Sequence, residues 1–279
     1  MTALDKKDLH VHTPFCPHRH TDAPLEAYLA AAERAGMAEV AFTEHAPLPI
    51  PLERTQYEEN PNLSADGVDA YFAGMQAFRE HYTGPVRMRI GLEVEYFEGC
   101  EEKTGHILEA YGPRMEDGLI SVHNLLVDGC YLNLDYRHNI IAAVKAVGAR
   151  KLGEIYYRTL IRSVTADLGP WRPRRVGHPT LLGRCGRLFP EFYDNLPVME
   201  EFILVVKEQE CALELNTSGV LYPDDCGQIY GEALLPLIQK HRVPVSLGSD
   251  AHEPERIGGG FDLPVIQENL KTLLPVWEA

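Results

Sequence analysis

"DLHVHTPFCPHRHTDAPLEAYLAAAERAG", residues 8–36, holds four histidines and a cysteine in its first thirteen positions and a helical apolar pattern in the remainder. Read as a strand, Leu9 to His12 puts His10 and His12 on the same side, because strand side chains repeat with period two. Beyond it, Asp22 is expected to cap a helix with Pro24 in its first turn. Leu25, Tyr28, Leu29 and Ala32 then share one helical face, and Gly36 is expected to end it. A strand carrying metal-seeking side chains that leads into an amphipathic helix is one β/α unit.

The pattern recurs along the chain. Apolar runs at 38–45, 88–96, 118–123, 174–178, 211–216 and 243–250 read as further strands. Helical patterns lie at about 68–82, 101–111, 135–166, 190–210, 230–241 and 262–274. Seven strands in a β-then-α rhythm argue for a parallel sheet with helices packed outside it. The 279 residues are an ordinary length for a single α/β barrel. No linker, repeat or composition shift divides them, so residues 1–279 are expected to form one domain. A hydrophobic content of 45% is enough to bury a large core.

Composition also narrows the partners. No apolar run reaches the roughly 18 residues of a membrane span, and "MTALDKKDLH" lacks the apolar segment of a secretory signal. Cys16, Cys100, Cys130, Cys185, Cys211 and Cys226 are scattered, which fits reduced thiols in a cytoplasmic protein. A formal charge of −15 argues against nucleic acid as a partner. It remains compatible with a small anion held at a local cationic site, which bound metal ions would supply.

Nearly every strand run ends in a metal-binding group. These are His10 and His12, Glu44 and His45, Glu93, His123, His178, and Asp250 with His252, while the sixth run ends in Asn216. In a β/α barrel the C-terminal strand ends form the catalytic face. So many ionisable groups at one rim call for a counter-charge, and divalent metals provide it. Nitrogen and carboxylate ligands without organised thiolates suit zinc, iron or manganese. The set exceeds the needs of one ion, and a carboxylate such as Glu93 can bridge two. Cys16 reads as a packed or supporting residue rather than a ligand. Asp8 either orients a ligand imidazole or merely opens the strand.

Taken together, "HVHTPFCPH", "FTEH", "GLEVEY", "SVHNL", "VGHP", "LNTSG" and "LGSDAHEPERIG" resemble the polymerase and histidinol phosphatase (PHP) superfamily, most closely its histidinol-phosphatase branch. The resemblance runs from about Leu9 to Phe261. A bare HxH is shared with amidohydrolases; the Glu93, His123, His178 series and the closing "GSDAH" decide between them. The resemblance implies a distorted (β/α)7 barrel, TIM-barrel-like, with three divalent ions at the C-terminal strand ends. It implies that His10, His12 and Asp250 hold one ion, with Glu93 bridging to a second completed by His123 and His178. His18, His45 and His252 would hold the third, His18 being preferred to His20 by its six-residue step from His12. Glu44 stands where many members have Asp, and Ile120 where Gly is common; neither removes a ligand.

The implied activity is metal-dependent hydrolysis of a phosphomonoester, L-histidinol phosphate, in histidine biosynthesis, with Glu93 and Asp250 as the catalytic carboxylates. The alternative is a PHP-type exonuclease or nucleotide phosphoesterase, against which the acidic balance counts. A scaffold without activity is disfavoured because all nine ligand positions are retained. Arg184 and Arg187, just beyond His178, are expected to clamp phosphate, with Arg54 and Arg256 behind them. The Pro-rich stretch 46–64 is expected to act as a lid or substrate wall, with Glu53, Glu58 or Glu59 near the substrate's cationic end.

Overall fold

Four strands near the start of the chain, β1 (Lys7–Val11), β2 (Glu39–His45), β3 (Arg87–Glu95) and β4 (Asp117–Ser121), pair in sequence order. The structure, a computed structural model, describes residues 6–18, 21–220 and 234–275. His20, Cys226 and the first residues of the helix expected at 230–241 lie outside these. The sheet continues through β7 (Arg175–Val176), β8 (Ala212–Asn216), β9 (Pro244–Gly248) and β10 (Leu274–Pro275), with every pair parallel. Their side chains are almost continuously buried on both faces, as a parallel sheet jacketed by helices requires.

The sheet curls into a distorted barrel. Its seam is thin: β1 meets the residues after β9 through one bridge, Val11 to Ala251. There the Asp250 N–H donates to the His10 carbonyl at 2.8 Å, and the His12 N–H to the Ala251 carbonyl at 2.9 Å. That closure carries the end of β1 and the residues after β9 into one corner of the barrel. The opposite end is plugged by Arg175, buried and donating to Asp117, to the Leu9 carbonyl at 2.8 Å and to Ser246 Oγ at 3.3 Å.

Helices α1 (Leu25–Arg34), α2 (Ala65–His81), α3 (Glu101–Tyr111), α6 (Leu196–Glu208), α7 (Leu234–His241) and α8 (Pro264–Leu270) follow the strands. Helix α1 buries Tyr28, Leu29, Ala31 and Ala32. Pro24 rather than Asp22 occupies its N-cap, without a side-chain cap bond, because the proline ring offers no acceptor to the first-turn N–H groups. Gly36 ends it with a φ of +74°, a conformation suited to glycine.

Three features depart from the sequence reading. The helix expected over 135–166 is two, α4 (Arg137–Val147) and α5 (Ala149–Thr165), broken at Gly148, whose φ of +86° no helix can carry. Residues 124–133 form an antiparallel hairpin, β5 (Asn124–Val127) with β6 (Cys130–Asn133), turning on Asp128-Gly129, both at positive φ. The two-residue β10 has too short a pattern to be read.

Candidate metal centre

The rim at the C-terminal strand ends assembles because period two points alternate strand residues inward. His10 on β1 and Glu93 on β3 are buried, and His12, one residue past β1, follows His10 on the same side. His178 and Asp250 follow β7 and β9 in the left-handed region, at φ of +24° and +55°. Non-glycine residues seldom adopt this geometry without compensating contacts, and here it turns both side chains inward.

Glu93 is the hub. Its Oε2 lies 3.0 Å from His45 Nδ1, 3.3 Å from His10 Nε2 and 3.7 Å from His12 Nε2. Its Oε1 lies 2.9 Å from His178 Nε2 and 3.7 Å from His123 Nε2, and accepts from Ser121 Oγ at 2.6 Å. One carboxylate therefore faces two separate imidazole groups with different oxygens. Asp250 Oδ1 lies 3.3 Å from His12 Nε2 and 3.6 Å from His10 Nε2.

Ligand-type atoms gather within 4.8 Å of one another in three sets: His10, His12 and Asp250; Glu93, His123 and His178; and His12, Cys16, His45 and His252. His18 stands beside the third set, its ring centroid 4.5 Å from that of His252 and 5.1 Å from that of His45. Its Nδ1 is 3.3 Å from Cys16 Sγ. Cys16, expected to pack or support rather than to bind an ion, is fully buried and presents its sulfur inside this set.

The donor set fits divalent cations. His10 Nε2, both ring nitrogens of His12 and Glu93 Oε2 are buried without a hydrogen-bond partner. Each such orphan costs on the order of 1–3 kcal/mol unless something else satisfies it, and these atoms converge on one space. Without cations the groups polarise one another. Burial disfavours charge on His10, yet Glu214, Glu93 and Asp250 outweigh it and raise its pKa well above the usual imidazole range. Burial opposes ionisation of Glu93, but His10, His45 and His123 hold it well below the carboxylate range. Burial, then the neighbouring His45 and His12, push the pKa of His18 down to about 3.

Four further carboxylates hold this cluster from behind. Glu214 on β8 accepts from His10 Nδ1 at 2.7 Å and from the His178 N–H at 2.6 Å. Glu95 on β3 accepts from His123 Nδ1 at 2.5 Å and from the backbone N–H of His123 and Asn124. Glu44 accepts from the backbone N–H and Oγ1 of Thr13 and lies 3.5 Å from His12 Nδ1. Asp8 accepts from Ser249 N–H and Oγ, from Gly258 N–H and, at 3.5 Å, from the His10 backbone N–H, so it holds the loop that carries Asp250 and the main chain of His10 rather than a ring nitrogen. The sequence reading missed Glu95 and Glu214. Their signal was period two, from Glu93 to Glu95 and from Glu214 to Asn216. The Glu214 carboxylate is accommodated by Gly248, where a Cβ would sit 2.0 Å from Oε1.

A cavity of about 520 Å³ opens over the cluster, lined by His18, His45, His123, Asp250 and His252 on its floor. Its wall includes Tyr57, Glu58, Glu59 and Pro61 from the Pro-rich stretch, together with Asp135, Tyr136 and Arg184. The stretch is tied to the hairpin and the residues after it: Tyr136 Oη accepts from the Glu58 N–H at 3.2 Å, and Asn124 Nδ2 donates to Tyr57 Oη at 3.3 Å. Arg184 reaches the cavity. Arg187, three residues on and beyond the end of the short helical turn Leu181–Cys185, is exposed and outside its lining. Arg54 lies over the Tyr131 ring and Arg256 pairs with Glu253, so neither lines the cavity. Glu53 is likewise outside it.

With the geometry in place, similarity to known proteins is informative. The PHP domain family matches residues 8–218. The chain is 34% identical to the histidinol-phosphatase of Bacillus subtilis over 264 residues, covering 93% of this chain and 98% of that protein. It superimposes on the hisK crystal structure from Listeria monocytogenes with a TM-score of 0.83 at 27% identity, covering 93% of this chain and 100% of the other. The histidinol phosphate phosphatase of Lactococcus lactis, solved with zinc, L-histidinol and phosphate, has the same fold, with a TM-score of 0.67 at 19% identity over 95% and 94% of the two chains.

Proposed function

The chain belongs to the PHP domain family, and from that premise we propose that it acts as one metal-dependent phosphatase domain hydrolysing L-histidinol phosphate to L-histidinol and phosphate. The observation that carries the hydrolytic chemistry is Glu93, whose two oxygens face two separate histidine groups beneath an open cavity. Similarity to the Bacillus subtilis histidinol-phosphatase over almost its whole length supports the substrate.

His10, His12 and Asp250, then Glu93 with His123 and His178, and finally His18, His45 and His252 would hold three divalent ions, of zinc, iron or manganese. When bound, such ions neutralise phosphate oxygens and make water acidic enough to act as a nucleophile near neutral pH. The protein's part is placement. Glu214 and Glu95 fix the rings of His10 and His123 from behind, and Asp8 fixes the Asp250 loop. Arg184, at the cavity wall, receives a phosphate oxygen. Asp250 lines the cavity as a carboxylate, its pKa held down by His10, His12 and His252 despite burial. Asp250, or a water held at the site, would supply the proton that the leaving alkoxide takes up. Cys16, Cys100, Cys130, Cys185 and Cys211 form no disulfide, which supports a reducing cytoplasmic setting, and no helix among the described residues is long and apolar enough to cross a membrane.

The test is phosphate release from L-histidinol phosphate, nucleotides and single-stranded DNA at matched concentrations, with Zn²⁺, Fe²⁺ or Mn²⁺ supplied separately. Histidinol phosphate is expected to have the highest kcat/KM. A higher value for nucleotide or DNA under every metal would overturn the assignment in favour of a phosphoesterase of nucleic-acid substrates.

A further inference from the structure

The catalytic cavity has two electrostatic ends. Its floor is the histidine cluster, and its wall carries the carboxylates of Glu58, Glu59 and Asp135. Asp135 is distinct among the three because it is anchored and paired with the arginine assigned to phosphate. Its own N–H donates to Asn133 Oδ1 at 2.9 Å at the end of the β5–β6 hairpin, a side-chain turn that holds the residue in place. Its carbonyl accepts from Arg184 Nη1 at 2.8 Å, while its carboxylate Oδ1 is 3.6 Å from the same nitrogen. The main chain thus makes the close contact with Arg184, and the carboxylate stands slightly back from it. Asp135 is about a third exposed, on the cavity wall rather than in the core.

Resting on the function proposed above, we infer that Asp135 is a specificity-determining residue that binds the ammonium group of the substrate while Arg184 binds its phosphate. L-Histidinol phosphate is a zwitterion in which the phosphate oxygen and the amine sit on adjacent carbons. Its opposite charges are therefore only a few bonds apart. An arginine and an aspartate side by side on one wall present the complementary dipole. A phosphomonoester without an amine gains nothing from the aspartate, and a polyanion is repelled by it. Asp135 does not touch the reacting atoms in this arrangement; it selects which phosphate ester stays.

The experiment compares wild type with Asp135→Asn and Asp135→Glu on L-histidinol phosphate and on its deamino analogue, 3-(imidazol-4-yl)propyl phosphate. In wild type the natural ester is expected to be preferred. In Asp135→Asn the ratio of the two kcat/KM values is expected to fall about 10- to 100-fold, the loss of one charge-assisted contact, through KM rather than kcat. Asp135→Glu should recover part of the ratio. Product inhibition supplies a second readout: the inhibition constant of L-histidinol should rise in Asp135→Asn more than that of inorganic phosphate. Equal loss on both esters would make Asp135 only a prop for Arg184, and an unchanged ratio would remove it from recognition; either overturns the inference. A wild type that hydrolyses neither imidazole ester but cleaves other phosphoesters would instead refute the parent assignment of function.

Discussion

Replacing Glu214 by glutamine keeps the side chain's shape and removes one acceptor from the back of the metal centre. In the native arrangement its two oxygens serve two donors at once, His10 Nδ1–H at 2.7 Å and the His178 N–H at 2.6 Å. An amide has a single oxygen. Its NH2 must therefore face one of these donors, and one charge-assisted hydrogen bond is lost, at a cost of about 1.5–3 kcal/mol. Both donors belong to proposed ligands on different strands, β1 and the turn after β7, so the loss falls on their relative orientation. Converted at 1.4 kcal/mol per factor of ten, divalent-metal affinity should weaken about 10- to 100-fold, the range found when the groups that orient metal ligands are removed. Competition against a chelator of known affinity measures this directly, and the metal-induced rise in Tm should shrink in parallel. A folded Glu214→Gln protein that binds metal within about twofold of wild type would refute the orienting role.

Glu93→Ala removes the carboxylate that faces both histidine groups, so metal content measured on the purified protein should fall and phosphatase activity drop by about a hundredfold or more; unchanged stoichiometry and turnover would end the bridging assignment. Arg184→Ala is expected to lower kcat/KM for L-histidinol phosphate about 10- to 100-fold with metal content maintained, as steady-state kinetics and elemental analysis on the same preparation will show. At the far end of the barrel, Glu39 pairs with Arg89 and with Lys7 at 3.2 Å, and although burial opposes its ionisation, these cations hold its pKa below the ordinary 4.5. A carboxylate with a depressed folded-state pKa stabilises the fold above its unfolded pKa and loses that contribution as the pH falls through the folded value. Glu39→Gln should therefore cost about 1 kcal/mol at pH 7, discounted for the open cavity beside it, and the gap in denaturant unfolding should close towards pH 3.

Much of the architecture was legible because its determinants are local. The alternation that places His10 and His12 on one side needs four residues, and the amphipathic pattern of α1 needs ten. The Asp128-Gly129 turn carried an equally local signal for the hairpin, and Gly148 for the break between α4 and α5; both lay within reach of turn chemistry. What local pattern did not disclose is which polar residue meets which. Glu214 and His10 are 204 positions apart and share a hydrogen bond. Arg184 and Arg187 are three positions apart, and one reaches the cavity while the other faces solvent. Cys16 read as a packed or supporting residue, and only the fold sets its sulfur beside His18 and among His12, His45 and His252.

The sequence by itself determined the strand and helix rhythm, the residue types at the strand ends and hence the kind of chemistry they can support. Those follow from backbone periodicity and from side-chain donors, which are properties of short segments. Only the tertiary structure decided that one oxygen of Glu93 faces β1 and the other faces the turn after β7, and that Asp8 fixes the Asp250 loop. It also decided that Asp135 stands against Arg184 on the cavity wall. These are distances between segments remote in the chain. They are set when the barrel closes at Val11 and Ala251, and no period in the sequence encodes them.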